Sequence, residues 1–153
     1  MPLVATDAEE TSPALSPDGR WLVYALDVSG RKEAYVRPFP DAEGGIWQVS
    51  TDGGSEPLWS HDGSELFYRT PGGMMAAEVT GSPTFAVGSR TPLLDARMYA
   101  ANDDAHYYAV SNVDDGFLML RSVAAAAARA DSTRRLVLVR DWLPELRARL
   151  GRW

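Results

Sequence analysis

The chain has 153 residues, enough for one domain with a substantial core and too few for two of ordinary size. Its 45% hydrophobic and 24% charged residues exclude a disordered chain, and the absence of cysteine excludes disulfides and thiolate metal sites. The net charge of −6 is uneven, with 7 basic against 18 acidic residues in 1–120 and 8 against 3 in 121–153; an acidic body argues against nucleic acid, whose phosphates need a positive field.

In chain order, the first expected strand is Leu3–Thr6, which stands apart. Four more follow at Pro13–Ser16, Trp21–Leu26, Glu33–Arg37 and Ile46–Ser50. A second set is expected at Glu56–Ser60, Glu65–Arg69, Met74–Val79 and Pro92–Asp95, and a third at His106–Ser111, Phe117–Arg121 and Arg135–Arg140. Asp27–Lys32, Asp52–Gly54 and Pro71–Gly73 are rich in turn formers and separate them. Val123–Asp131, with five consecutive alanines, reads as a loop insertion, because so short a helical run is marginal in water. Asp141–Leu150 reads as a short C-terminal helix: Asp141 caps it, Pro144 fits its first turn, and Leu143, Leu146 and Leu150 share a face. The basic residues near this end read as solvated arginines rather than a contact surface.

A repeat organises these elements. Ser16-Pro17-Asp18-Gly19-Arg20-Trp21-Leu22-Val23-Tyr24 recurs as Ser60-His61-Asp62-Gly63-Ser64-Glu65-Leu66-Phe67-Tyr68. A looser copy is Ser111-Asn112-Val113-Asp114-Asp115-Gly116-Phe117-Leu118-Met119, so the serines lie 44 and 51 residues apart. Four-stranded propeller blades repeat at roughly 40–50 residues. Each copy reads as a hairpin in which Gly19 or Gly63 takes a positive φ, followed by a strand apolar on both faces. Gly53 and Gly73 read as members of looser loops.

The fold expected is all-β: a partial β-propeller of three four-stranded antiparallel blades (about 13–50, 56–95 and 106–140) with the C-terminal helix at 141–150. Three blades cannot close a ring, so this is half of a six-bladed one. It is completed by missing blades of a longer chain or by a second copy, whose Leu3–Thr6 would finish the third blade as a head-to-tail homodimer.

The Ser-Pro-Asp-Gly-Arg-Trp run at 16–21, Tyr35-Val36-Arg37-Pro38-Phe39-Pro40, Trp47-Gln48-Val49-Ser50 and Glu56-Pro57-Leu58-Trp59-Ser60 resemble bacterial TolB-type, WD-like propeller repeats. With the ending Leu136-Val137-Leu138-Val139-Arg140-Asp141-Trp142, they are most similar to propeller regions C-terminal to some bacterial serine/threonine protein kinases. The resemblance implies a scaffold or sensor. Kinase motifs are missing from the sequence.

No catalytic, cofactor-binding or metal residues are assigned. A hydrolytic triad needs a base, and the only histidines are His61 in a turn and His106 beside a strand, with no Gly-x-Ser-x-Gly elbow. Asn102, Asp103, Asp104 and His106, with Asp114 and Asp115, carry oxygens a calcium ion could use, but lack a calcium loop's spacing and read as turn residues. Trp21, Trp47, Trp59, Trp142 and Trp153 read as core packing rather than a sugar platform, and Met74-Met75 as gap-filling core. The function expected is therefore a non-catalytic module binding protein or peptide partners. The alternative is an accessory propeller of a larger enzyme, kinase-linked or prolyl-oligopeptidase-like. The N-terminus has no basic stretch before an apolar run and no segment nears the roughly 18 apolar residues of a membrane span, so neither signal peptide nor membrane insertion is expected. That leaves a cytoplasmic chain, or one exported within a longer parent.

Overall fold

A computed structural model describes residues 8–28, 30–102, 105–111, 116–122 and 134–139. The expected strand 3–6, the alanine-rich segment 123–131 and the C-terminal helix 141–150 lie outside these residues. Among the described residues the fold is all-β, and no helix is long and apolar enough to cross a membrane.

The first sheet takes four strands in sequence order: β1 (Glu9–Leu15), β2 (Trp21–Asp27), β3 (Lys32–Pro38) and β4 (Trp47–Gln48). The second repeats this with β5 (Ser55–Trp59), β6 (Glu65–Thr70), β7 (Gly73–Thr80) and β8 (Ala86–Leu94). The third has β9 (Tyr108–Val110), β10 (Phe117–Ser122) and β11 (Arg134–Val139), with β10 in the middle. Every pairing between neighbouring strands is antiparallel.

The repeated turns show why Ser-x-Asp-Gly recurs. The Ser16 hydroxyl donates to Asp18 Oδ1 at 2.6 Å and accepts the Trp21 N–H at 3.0 Å. Asp18 Oδ1 also takes the Arg20 N–H at 3.1 Å, and the Gly19 N–H closes on the Ser16 carbonyl at 2.8 Å. In the second copy Ser60 donates to Asp62 at 2.7 Å and accepts the Glu65 N–H at 2.9 Å, while Asp62 takes the Ser64 N–H at 3.0 Å. The glycines close these turns at φ +70° (Gly19) and +74° (Gly63), where a side chain is disfavoured. The third copy displaces Asp-Gly but keeps the frame: the Ser111 N–H bonds the Gly116 carbonyl, as Ser16 does Trp21 and Ser60 does Glu65.

Strand bounds differ from expectation where proline intervenes. β1 begins at Glu9 rather than Pro13, because a bulge between Thr11 and Ala14 absorbs Ser12-Pro13 and lets the ladder resume. β5 has the same bulge around Glu56-Pro57. β8 is longer than the expected Pro92–Asp95, since its proline sits on the outermost strand, where no further ladder needs its N–H. One expectation is corrected. Gly73 is not in a loose loop: it opens β7 at φ +151°, and a Cβ there would lie 2.2 Å from the Leu94 carbonyl oxygen.

The sheets stack by alternating faces of their inner strands. Val23 and Val36 of the first sheet pack on Leu66, Tyr68 and Ala77 of the second. The opposite face of the second sheet, with Phe67, Met74 and Ala76, packs on Tyr108, Phe117 and Met119 of the third. Met74 and Met75 therefore serve different cores, Met74 on the third sheet's side and Met75 on the first's. Each fully buried side chain of this size contributes about 1.5–3 kcal/mol. Two polar links cross between the first two sheets: the Trp59 indole N–H donates to the Ala14 carbonyl at 3.2 Å, and Arg90 Nε to the Val49 carbonyl at 2.6 Å.

Candidate functional site

The twin bulges of β1 and β5 decide where polar chemistry enters the interior. Proline cannot donate to a ladder, so each X-Pro pair is lifted out of register, and the residue before it adopts φ +51° (Ser12 and Glu56). Both side chains are buried, Ser12 at 3% exposure and Glu56 at 0%. In the first sheet the result is an uncharged hydroxyl without a hydrogen-bond partner. In the second it is a carboxylate at the centre of a network.

Glu56 Oε1 accepts the Asn102 N–H at 3.2 Å, and Oε2 accepts the Tyr107 N–H. Arg69, itself 5% exposed at the end of the apolar strand β6, places Nε 3.2 Å from Oε1. That distance makes an ion pair, yet Nε and Nη2 of Arg69 both lack an aligned acceptor. The Arg69 guanidinium stands 5.7 Å over the Tyr108 ring, whose hydroxyl donates to the carbonyls of Glu56 at 2.8 Å and Phe67 at 3.1 Å. Burial pushes the Glu56 carboxyl above the ordinary carboxylate range, opposed by the Tyr107 N–H, Arg69 and the Asn102 N–H. Burial likewise raises the Tyr108 phenol well above its usual value.

A cleft of about 760 Å³ opens over this network, at the end of the sheets where β1 and β5 begin. The β2–β3 hairpin supplies Arg31 and Lys32, β6 supplies Arg69, and the segment after β8 supplies Arg97. Arg31 and Arg97 are well exposed, and each has a nearby carboxylate: Glu33 at 2.9 Å from Arg31 and Asp95 at 2.5 Å from Arg97. Lys32 lies 3.6 Å from Glu9. The site is thus rich in arginine and close to neutral, with one deeply buried cation.

A second cleft of about 430 Å³ lies at the opposite end, between the two Ser-x-Asp-Gly turns. Its walls include Trp21, Trp59 and Phe85. Trp21 meets Trp47 edge to face at 5.6 Å and 86°, and Trp59 meets Phe85 at 6.3 Å and 85°. Rings joined edge to face interlock as core and present no flat stacking platform. Trp142 and Trp153 lie outside the described residues.

His61 is exposed on its turn, and His106 Nε2 is engaged with the Pro57 carbonyl at 3.0 Å. Of the acidic candidates, Asp103, Asp104, Asp114 and Asp115 lie outside the described residues, while the Asn102 N–H is bound by Glu56. Among the described residues no three His, Cys, Asp or Glu side chains converge as a metal site. The Glu56–Arg69 network was missed by sequence reasoning. Its signal was present: a glutamate before proline at a strand start and an arginine closing the apolar run Leu66-Phe67-Tyr68.

Comparison with known proteins relates part of the chain to a peptidase. Over 115 residues the chain is 31% identical to a dipeptidyl aminopeptidase BI of Pseudoxanthomonas mexicana, a match covering 69% of this chain and 15% of that protein. No family model and no solved structure matches the chain.

Proposed function

We propose that the chain is a three-bladed segment of a TolB-type β-propeller whose role is to bind a protein or peptide, without catalysis of its own. The observation carrying this reading is the duplication of one structural unit: two four-stranded sheets share the turn, the bulge and the strand order at a 44-residue offset, and are stacked face to face. Stacks of such sheets around an axis make propellers, whose converging loops form binding surfaces. The cleft where β1 and β5 begin is such a surface. The third sheet, three-stranded among the described residues, is the place where Leu3–Thr6 of a second copy would add a strand. Native mass spectrometry of the pure chain tests this. A dimer supports ring closure by a second copy, aggregation supports a longer parent, and a stable, well-folded monomer overturns the three-blade reading.

The comparison favours a second reading, an accessory propeller of a peptidase. The chain spans 15% of the length of a dipeptidyl aminopeptidase that it resembles. On this reading the segment helps admit or hold substrate for a catalytic domain. The purified chain then shows no release of dipeptides from a chromogenic substrate alone. Turnover that His106→Ala abolishes would overturn both readings.

A further inference from the structure

We infer that the cleft where β1 and β5 begin is an oxyanion site, taking a carboxylate or phosphate group on the guanidinium of Arg69. Arg69 lines the cleft, is 5% exposed, and has no aligned acceptor for Nε or Nη2. Buried guanidinium donors without acceptors are rare, because the desolvation of each one is left uncompensated. Glu56 is the nearest carboxylate, but its Oε1, 3.2 Å from Nε, is not aligned to accept a hydrogen bond from it. The Arg69 fork therefore keeps donor capacity that a planar or tetrahedral oxyanion satisfies.

The scaffold does not require this arginine. In the first sheet Thr11 pairs with Ala25, and in the second Ser55 pairs with Arg69, so the place Arg69 fills is an alanine in the sister unit. The same sheet is built there with neither ion. The rim completes the site: Arg31 and Arg97 lie in the same cleft with side chains 55% and 73% exposed, Arg31 paired with the buried Glu33 and Arg97 with the exposed Asp95. An exposed pair is weak, so the Arg97 side chain is available to an incoming anion. At about 760 Å³ the cleft exceeds a bare ion, and the anion is a group on a larger molecule.

The site is built from contacts among the described residues and needs neither ring closure nor a partner. The inference is tested by titrating the 153-residue chain with acetate and with inorganic phosphate against chloride at matched ionic strength, following the Arg69 Nε–H resonance. Saturable binding with a shift of that resonance is expected; the tighter anion identifies the group, carboxylate if acetate and phosphate otherwise. Arg69→Gln should weaken binding about tenfold or more, and Arg97→Gln by a few-fold, as expected for lost charge-assisted bonds. Glu56→Gln removes the competing carboxylate and should tighten binding, a result that a purely structural Arg69–Glu56 pair does not produce. Absence of saturable binding by the folded wild-type chain overturns the inference. So does unchanged affinity in a folded Arg69→Gln variant. If that variant fails to fold, Glu56→Gln decides: tightening supports the site, and unchanged or weaker binding overturns it.

Discussion

The first and second sheets are one design carried out with two chemistries. They share the strand order, the Ser-x-Asp-Gly turn and the inner-strand bulge, yet at the bulge one buries Ser12 and the other Glu56. Across the ladder one has Ala25 where the other has Arg69. The backbone supplies the same pocket twice, and side chains decide whether it is inert or charged. The lesson is that the bulge is structural and the ion pair is an addition, which ties the second sheet to the segment entering the third through Asn102 and Tyr107.

Breaking the charged copy should have the largest effect. Glu56→Ala leaves Arg69 buried and without its partner, and should cost about 3–5 kcal/mol by urea denaturation. Ser12→Ala, at the matching position, removes a hydroxyl that has no hydrogen-bond partner and should be neutral or slightly stabilising. Equal losses at the two sites would erase the distinction between them.

Two turns of the sheets differ as well, the β6–β7 hairpin of the second and the β1–β2 turn of the first. In the second sheet Thr70-Pro71-Gly72-Gly73 turns tightly, and a Cβ on Gly73 meets the Leu94 carbonyl. Gly73→Ala should therefore cost about 2–4 kcal/mol, combining backbone strain with overlap. Gly19→Ala meets nothing within 4 Å and carries only the penalty of its positive φ, about 1–2 kcal/mol. Thermal melts of the two variants give the order. The reverse order would mean that the turn, rather than the β7–β8 contact, is the tighter constraint.

The two Ser-x-Asp-Gly turns should behave alike. Ser16→Ala and Ser60→Ala each delete a hydroxyl that bridges an aspartate and a backbone N–H, and should each cost about 1 kcal/mol. A large difference between them would show that the turns are not equivalent.

The smallest expected effect is on acid stability. The Ser16 hydroxyl, then the Arg20 N–H and side chain, lower the Asp18 pKa to about 2, and Asp62 is lowered in the same way by the Ser64 N–H and the Ser60 hydroxyl. A depressed carboxylate stabilises the fold above its ordinary pKa and loses that contribution as pH falls toward the folded value. Asp18→Asn should thus flatten stability between roughly pH 4 and pH 2. Because Asp18 is exposed, the change should stay below about 1 kcal/mol. A pH series of chemical melts reads it directly.

Sequence by itself determined the parts of the molecule that rest on local rules. The turns were legible because serine, aspartate and glycine each satisfy a local backbone requirement at Ser16–Gly19 and Ser60–Gly63. The strands β2 and β6 were legible because burial on both faces leaves a continuous apolar run, Trp21–Leu26 and Leu66–Tyr68. The stacking decided the rest. Whether Gly73 was loose or crowded depended on Leu94, 21 positions along the chain, and no propensity at Pro71–Gly73 carries that distance. Glu56 and Arg69 read separately as an ordinary acid before proline and an ordinary base closing a strand. They became a buried pair under an arginine-lined cleft only when the bulge turned Glu56 inward and the third sheet closed over it, for burial and charge pairing are properties of the packed sheets and not of any one strand.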